Sequence, residues 1–260
     1  MRINLIFNKY IPDYKKALET IEQALLSYNI EFETFDLEKM EYYGDMTFVI
    51  GGDGTLLRAA RFYAKENVPV LGINVGRLGF LAQAGVDVIK GVIEAVQDGR
   101  YCVEDRIMLQ SGEYIALTDF VIKGCNPSRT SKFFLEINGK FVCDYIADGL
   151  IISTPTGSTA YGLSAGGPVL HPELDAIVIV PVCPHTLNAR PLVVPSGEHI
   201  TVKTSDELLS VSIDGFVTTK CVEKTSVKLA SDKARLVFLK KDNFYSVLRN
   251  KLHWGVSPEG

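Results

Sequence analysis

The chain has 260 residues, 47% of them hydrophobic and 22% charged, and carries a net charge of −4. That length suffices for one large core or two modest ones, and the even composition reads as globular protein. The slight negative charge gives no bulk attraction to nucleic acid or an anionic membrane. No apolar run approaches the roughly 18–20 residues of a membrane span, so neither partner is expected.

Residues 2–7 form a continuous apolar-rich run and read as a first strand, not a signal peptide. A helix is expected over 12–28: Pro12 suits a first turn, and Tyr14, Leu18, Ile21 and Leu25 recur every three to four residues. Ile30 to Phe35 is a short extended stretch. Met46 to Ile50 is β-rich and runs straight into Gly51-Gly52-Asp53-Gly54, after which Leu56, Leu57, Ala60 and Tyr63 follow a helical pattern. Val68 to Ile73 is another buried strand, and a further helix is expected at 86–98. Strands alternating with helices argue for a mostly parallel sheet covered on both faces.

After about residue 100 the segments become short, β-branched and punctuated by turns. Asn138-Gly139 sits between Leu135-Glu136-Ile137 and Lys140-Phe141-Val142; Asp214-Gly215 sits between Ser210 to Ile213 and Phe216-Val217. Both are hairpin signals, because the favoured two-residue turns need φ > 0 at each central position. More strands are expected at 176–181, 191–194, 199–204, 225–230 and 234–239. The fold class is therefore an α/β N-terminal domain over residues 1–103, with a mostly parallel sheet, followed by a β-rich, antiparallel, sandwich-like domain over 104–239.

The five cysteines (Cys102, Cys125, Cys143, Cys183, Cys221) are odd in number and widely spaced. They read as buried free thiols of a reducing cytoplasm. The four histidines show no H-E-x-x-H spacing, so no metal held by the protein alone is expected.

Three segments carry chemistry. In Gly51-Gly52-Asp53-Gly54-Thr55 the glycines let backbone approach a ligand, and the following helix start favours an anion. An acid in such a loop would repel phosphate. Asp53 is therefore better explained as a base or an orienting group for a hydroxyl; the alternative is a tight turn with an acidic surface residue. Neither the Walker A pattern nor the third glycine of the Rossmann fingerprint is present. The second segment, Gly72 to Phe80, again follows a strand and brings Arg77, which could meet a phosphate. The third, Asp148 to Tyr161, continues to Pro168. Its hydroxyls offer donors and acceptors suited to ribose and base edges, and Tyr161 an aromatic face; the alternative is a Ser/Thr-rich helix cap.

Taken in order, GGDGT, N-x-G-R-L-G-F-L, D-G-L-I-I-S-T-P-T-G-S-T-A-Y-G-L-S-A-G-G-P and Pro184 to Val193 resemble the NAD kinase family, and Lys251 to Gly255 looks like its tail. The resemblance covers most of the chain. GGDGT alone also occurs in lipid kinases and phosphofructokinases; the long third motif is the specific part.

The resemblance implies a substrate between the two domains, with residues 240–260 returning to the first. It implies ATP or inorganic polyphosphate as donor, NAD as acceptor, a divalent cation such as Mg2+, and a homodimer or homotetramer. It implies Asp53 as proton acceptor for the ribose 2′-hydroxyl, Gly54 on the dinucleotide phosphates, and Asp148 on the nicotinamide riboside. Thr159, Ala160, Tyr161 and Ser164 would line the adenosine pocket, with Phe80, Thr118, Asp119 and Thr156 also on NAD. Arg58, Arg77, Gly52 and Thr55 would meet donor phosphates.

Two departures stand out. Relatives usually carry Asn before the acidic residue that matches Asp119; here it is Thr118, whose single hydroxyl cannot present a donor and an acceptor as an amide does. Some members place Arg two residues before the Asp of the D-G pair; here that residue is Ile146, and Lys123, Arg129 and Lys132 are the candidates to replace it. Two other functions fit parts of the sequence. A lipid or sugar kinase would share the GGDGT loop but not the S-T-P-T-G-S-T-A-Y run. A non-catalytic dinucleotide sensor would share the fold but has no need of Asp53.

Overall fold

The computed structural model describes residues 1–76, 79–82, 84–126, 130–204, 208–219, 221–239 and 244–255. The chain divides into two units. One holds Met1–Asp105 with the described residues from Ala234 on, and the other holds Arg106–Lys233.

The first unit is built on β1 (Arg2–Phe7), α1 (Tyr14–Ser27), β2 (Glu31–Asp36), β3 (Met46–Ile50), α2 (Asp53–Tyr63), β4 (Val70–Asn74), β5 (Ala84–Gly85) and α3 (Ile89–Gln97). The strands run β2-β1-β3-β4, all parallel, with β5 parallel to β4. Every residue of β3 and β4 is buried. That is the signature of parallel strands covered on both faces, and it explains why these segments lack an alternating pattern. Ile21 and Leu25 of α1, with Val92, Ile93 and Val96 of α3, pack with Phe48, Leu71 and Ile73 into one cluster. The intervening Gly72 faces the other side, where a Cβ would sit 3.1 Å from Leu56 of α2. So β4 has no side chain where α2 crosses it closely.

The second unit contains β6 (Cys102–Ser111), which also begins in the first, then β7 (Tyr114–Ala116), β8 (Asp119–Gly124), β9 (Ser131–Ile137), β10 (Lys140–Ala147) and β11 (Gly149–Ser153). These are followed by the short helix α4 (Tyr161–Ser164), β12 (Ala176–Val182), β13 (Leu192–Pro195), β14 (Ile200–Thr204), β15 (Leu209–Ile213), β16 (Val217–Thr218) and β17 (Lys224–Phe238). One sheet is β13-β12-β11-β8-β15-β16, and β10, β9, β14 and the start of β17 form another ladder. All the pairings that join these neighbours are antiparallel. Phe120, Ile122, Leu150, Ile152, Ile177 and Ile179 from one sheet meet Phe133, Leu135, Ile200 and Val202 from the other in a shared core. Alternate residues Val121, Ile151, Val178 and Val180 pack into a separate cluster on the opposite face. The central strands are thus apolar along both faces, a consequence of the two-residue period of side chains. The last helix, α5 (Phe244–Leu252), follows β17.

Both expected hairpin turns form. Asn138 and Gly139 have φ of 51° and 74°, and Asp214 and Gly215 have φ of 47° and 71°. Three expectations need correction. The first helix begins at Tyr14 rather than at Pro12, because Asp13 takes a left-handed φ of 59° and interrupts the helical path. The strands expected at 225–230 and 234–239 are one strand, since Ser231-Asp232-Lys233 stays extended. The five cysteines are not all free: Cys125 and Cys221 form a disulfide, while Cys102 and Cys143 are half-buried and Cys183 is exposed. The pair meets because Leu209 pairs with Gly124 on one side and bridges to Val222 on the other, which puts the two neighbouring cysteines together.

Candidate active site

In the first unit the end of β3 turns through Gly51 and Gly52 into α2. The two glycines differ in their reasons. A Cβ on Gly51 would lie 2.6 Å from Thr55 Oγ1, so packing forbids it. A Cβ on Gly52 would meet nothing within 4 Å, and its φ of −89° suits any residue. Nothing within the fold therefore requires glycine at 52, and its backbone is open to close approach from outside.

Asp53 is the first residue of α2. Its carboxylate accepts three backbone N–H groups: Phe80 at 2.7 Å to Oδ2, Leu81 at 3.1 Å and Ala82 at 3.2 Å to Oδ1. The first two motifs are thereby joined, with the loop after β4 folded onto the acid. Gly79 makes this possible, because a Cβ there would overlap the Asp53 carboxylate. An ionised carboxylate has about four lone-pair sites, so about one remains for an incoming hydroxyl. Gly54 and Arg58 are half-exposed in the first turns of α2, whose N–H groups favour an anion. Thr55 is buried and its hydroxyl accepts from Asn8 Nδ2 at 3.2 Å, so it serves packing. Arg77 lies outside the described residues, as does Arg129.

In the second unit β11 leads into a turn of 3₁₀ helix, Thr156–Thr159, and then α4. The five Ser and Thr hydroxyls from Ser153 to Thr159 do not act alike. Ser153 Oγ donates to the Thr118 carbonyl at 3.1 Å, and Thr154 Oγ1 donates to that of Leu117 at 2.7 Å. Ser158 Oγ donates to the Pro155 carbonyl at 2.7 Å and accepts from Leu170 N–H at 2.9 Å. These three side chains are at most 1% exposed and hold the motif together. Thr156 is also buried, and its Oγ1 accepts from Arg106 at 3.4 Å. Thr159 is half-exposed, and Ala160, Tyr161 and Ser164 are exposed. Of the candidate adenosine contacts, these four face solvent.

Thr118 immediately precedes β8, which Asp119 opens, and lies directly against this motif, since a Cβ on Gly157 would collide with the Thr118 carbonyl. Both are held by a residue the sequence reading assigned only to a turn. The Asp214 carboxylate accepts from Leu117 N–H (3.1 Å), Thr118 N–H (2.8 Å), Thr118 Oγ1 (2.8 Å) and Asp119 N–H (3.2 Å). The Thr118 hydroxyl is thus engaged by the two carboxylates, bonding Asp214 at 2.8 Å and also reaching Asp119. Asp119 is 4% exposed; burial, then the neighbouring Asp214 charge, push its carboxyl up to about 7, with the Thr118 hydrogen bond acting in the opposite direction. Asp214 was legible as a hairpin residue, but no local pattern shows that its carboxylate reaches back 96 positions to Thr118.

Asp148 is exposed, with its N–H on the Val182 carbonyl at 3.0 Å. Of the cations proposed to replace the missing arginine at Ile146, Lys132 is paired with Asp144 at 2.7 Å. Lys123 lies along Gly149, beside Asp148. The run from Pro184 to Val193 links β12 to β13, and Arg190 donates to the carbonyls of Leu187 and Ala189 within it. Among the described residues no group of three or more His, Cys, Asp or Glu is placed to hold a metal ion, and no helix is long and apolar enough to cross a membrane.

Comparison with known proteins adds the following. Residues 13–101 match the family model of the ATP-NAD kinase N-terminal domain, and residues 117–240 match that of the C-terminal domain. A NAD kinase of Pseudomonas putida (strain W619) is 43% identical, across 91% of this chain and 84% of its own. A NAD kinase of Pseudomonas fluorescens (strain ATCC BAA-477) is 45% identical, across 81% and 76%. Among solved structures, a NAD kinase from Archaeoglobus fulgidus in complex with ATP superposes with a TM-score of 0.80 at 27% identity, covering 97% of this chain and 99% of that one. Yeast NADH kinase complexed with NADH superposes with a TM-score of 0.85 at 23% identity, covering 99% and 89%, a likeness of fold.

Proposed function

This chain belongs to the NAD kinase family, and on that premise we propose that it transfers the γ-phosphate of ATP, or a phosphate of polyphosphate, to the 2′-hydroxyl of the adenosine ribose of NAD. The observation that carries this reading is the Asp53 carboxylate, fixed by three backbone N–H groups at the start of α2 with about one acceptor site left. Phosphoryl transfer is governed mainly by positioning and charge stabilisation. Asp53 orients the ribose hydroxyl and takes its proton as the new P–O bond forms; the bond to the leaving phosphate breaks and ADP departs with that electron pair.

Gly52, Gly54 and Arg58 suit the phosphates, Gly52 because nothing covers it and Arg58 by its charge one turn into α2. Thr55 supports that turn by its bond to Asn8. Phe80 contributes the shortest N–H bond to Asp53 and stands next to the dinucleotide in this reading. In the second unit, Thr159, Ala160, Tyr161 and Ser164 take the adenosine, with Thr156 behind them. Thr118 and Asp119 take its polar edges, and Asp148 holds the nicotinamide riboside. The Archaeoglobus fulgidus NAD kinase solved with ATP supports that donor. A divalent cation would come with the triphosphate. The expected assembly is a homodimer or homotetramer, which light scattering decides.

The test is turnover of NAD and NADH with Mg-ATP and with polyphosphate. Product is read by a dehydrogenase that requires the 2′-phosphate, which also fixes the position of transfer. Absence of product from either donor sinks the proposal. Asp53→Asn should keep NAD binding and lose most turnover; near-wild-type activity in that variant would remove Asp53 from its role.

A further inference from the structure

Asp119 and Asp214 are two carboxylates almost out of solvent, 4% and 7% exposed, with Asp214 N–H donating to the Asp119 carbonyl at 3.0 Å. Their surroundings are unequal. Asp214 accepts four hydrogen bonds, three from backbone N–H groups and one from Thr118 Oγ1. That is the partner set of an anion, and it leaves Asp214 little capacity as a donor. Asp119 lies beside that anion. Of the elements packed on it, β11 presents Ser153 and β15 leads through Ile213 into Asp214, which is the charged neighbour that acts on it. Two adjoining buried carboxylates do not both ionise readily, and the proton stays on the one with fewer donors.

A neutral carboxylic acid offers one O–H donor and one carbonyl acceptor side by side, the same pair an amide offers. Thr118 cannot supply that pair because it has a single hydroxyl, already engaged by the two carboxylates. We propose that Asp119 binds the adenosine part of NAD as a neutral acid, donating one hydrogen bond and accepting another, with Asp214 as the positioning residue that keeps it protonated. The proposal rests on the assignment of Asp119 to the NAD site. Asp214 thus fixes the β8 backbone, ties down Thr118 and biases the protonation of Asp119.

The experiment measures KM for NAD from pH 6 to pH 9 at saturating Mg-ATP, for the full-length wild type and for Asp119→Asn, Asp119→Ala and Asp214→Asn. In the wild type, KM should rise about tenfold from pH 6 to pH 8, as the carboxyl with its value of about 7 loses its proton. Asp119→Asn, a permanently neutral donor–acceptor pair, should make KM independent of pH. Asp119→Ala should raise KM at every pH. Asp214→Asn, which keeps a residue tolerant of left-handed φ, should move the rise in KM to lower pH. A wild-type KM that falls with pH, or an Asn variant that keeps the wild-type slope, would overturn the proposal. Failure of the kinase reading itself appears differently, as no NADP from the wild type at any pH.

Discussion

Gly79→Ala tests the way the Asp53 carboxylate is held. The obstacle to alanine is contact: the new Cβ would overlap the Asp53 carboxylate. Relief requires either the loop to lift or the acid to swing, and the bonds from Phe80, Leu81 and Ala82 cannot all survive. A hydrogen bond to a charged group is worth about 1.5–3 kcal/mol. Losing one or two, partly recovered by water because the site is half-exposed, costs about 2–4 kcal/mol in orientation of the acid. At about 1.4 kcal/mol per factor of ten, kcat should fall about 30- to 1000-fold. KM for NAD should change much less, because the substitution lies at the reacting hydroxyl and not at the nucleoside contacts. Steady-state NADP formation with both substrates varied measures the split. A Gly79→Ala enzyme retaining more than half of wild-type kcat, while Asp53→Asn is inactive, would refute the view that the loop sets the acid in place.

Three further outcomes are expected. Gly52→Ala should leave the thermal midpoint unchanged, since its Cβ meets nothing, yet raise KM for ATP several-fold; an unchanged KM would show that no ligand approaches that backbone. The Asp119 carboxyl is raised from 3.8 to about 7 by folding, so its cost to stability is absent below about pH 4, grows with pH and is complete above about pH 7. Urea unfolding should therefore show Asp119→Asn gaining on the wild type as pH rises from 5 to 8, by at most about 1.4 kcal/mol per unit, and a constant difference would contradict the placement of the proton. Cys125→Ser should lower stability by about 2–5 kcal/mol under non-reducing conditions, because the Cys125–Cys221 link spans 96 residues. Added thiol should reduce the wild type to the same midpoint, and an insensitive wild type would mean the link does not form in solution.

The strand-to-helix alternation and the two hairpins were legible because their signals are local. A parallel strand such as Met46 to Ile50 is apolar throughout, and Asn-Gly and Asp-Gly need φ > 0 wherever they fall. Asp53 was also singled out as the candidate acid, since an Asp among glycines at a helix start has few other reasons to be there. What joins Asp53 to Phe80, Leu81 and Ala82 was not, because backbone donors leave no trace in side-chain pattern; only Gly79 hinted at it, and only once a collision could be measured. Asp214 was hidden for the complementary reason: its turn role accounts fully for its identity, and its second role depends on the neighbour of β15 being β8. The cysteines were misjudged because Cys125 and Cys221 share a neighbour, Leu209, that no spacing rule links to either.

The inward hydrogen bonds of Ser153, Thr154 and Ser158 bear on how mutational scans of such a motif are read. Alanine at any of these three positions removes a hydroxyl that satisfies a buried carbonyl or N–H, so lost activity would follow from a loosened turn and not from a lost ligand contact. The letters that most clearly mark the chain's kinship are therefore partly the letters of a scaffold. The side chains that the scaffold leaves facing outward, among them Thr159, Ala160, Tyr161 and Ser164, are the positions where a substitution can change the surface offered to a ligand without first changing what is folded.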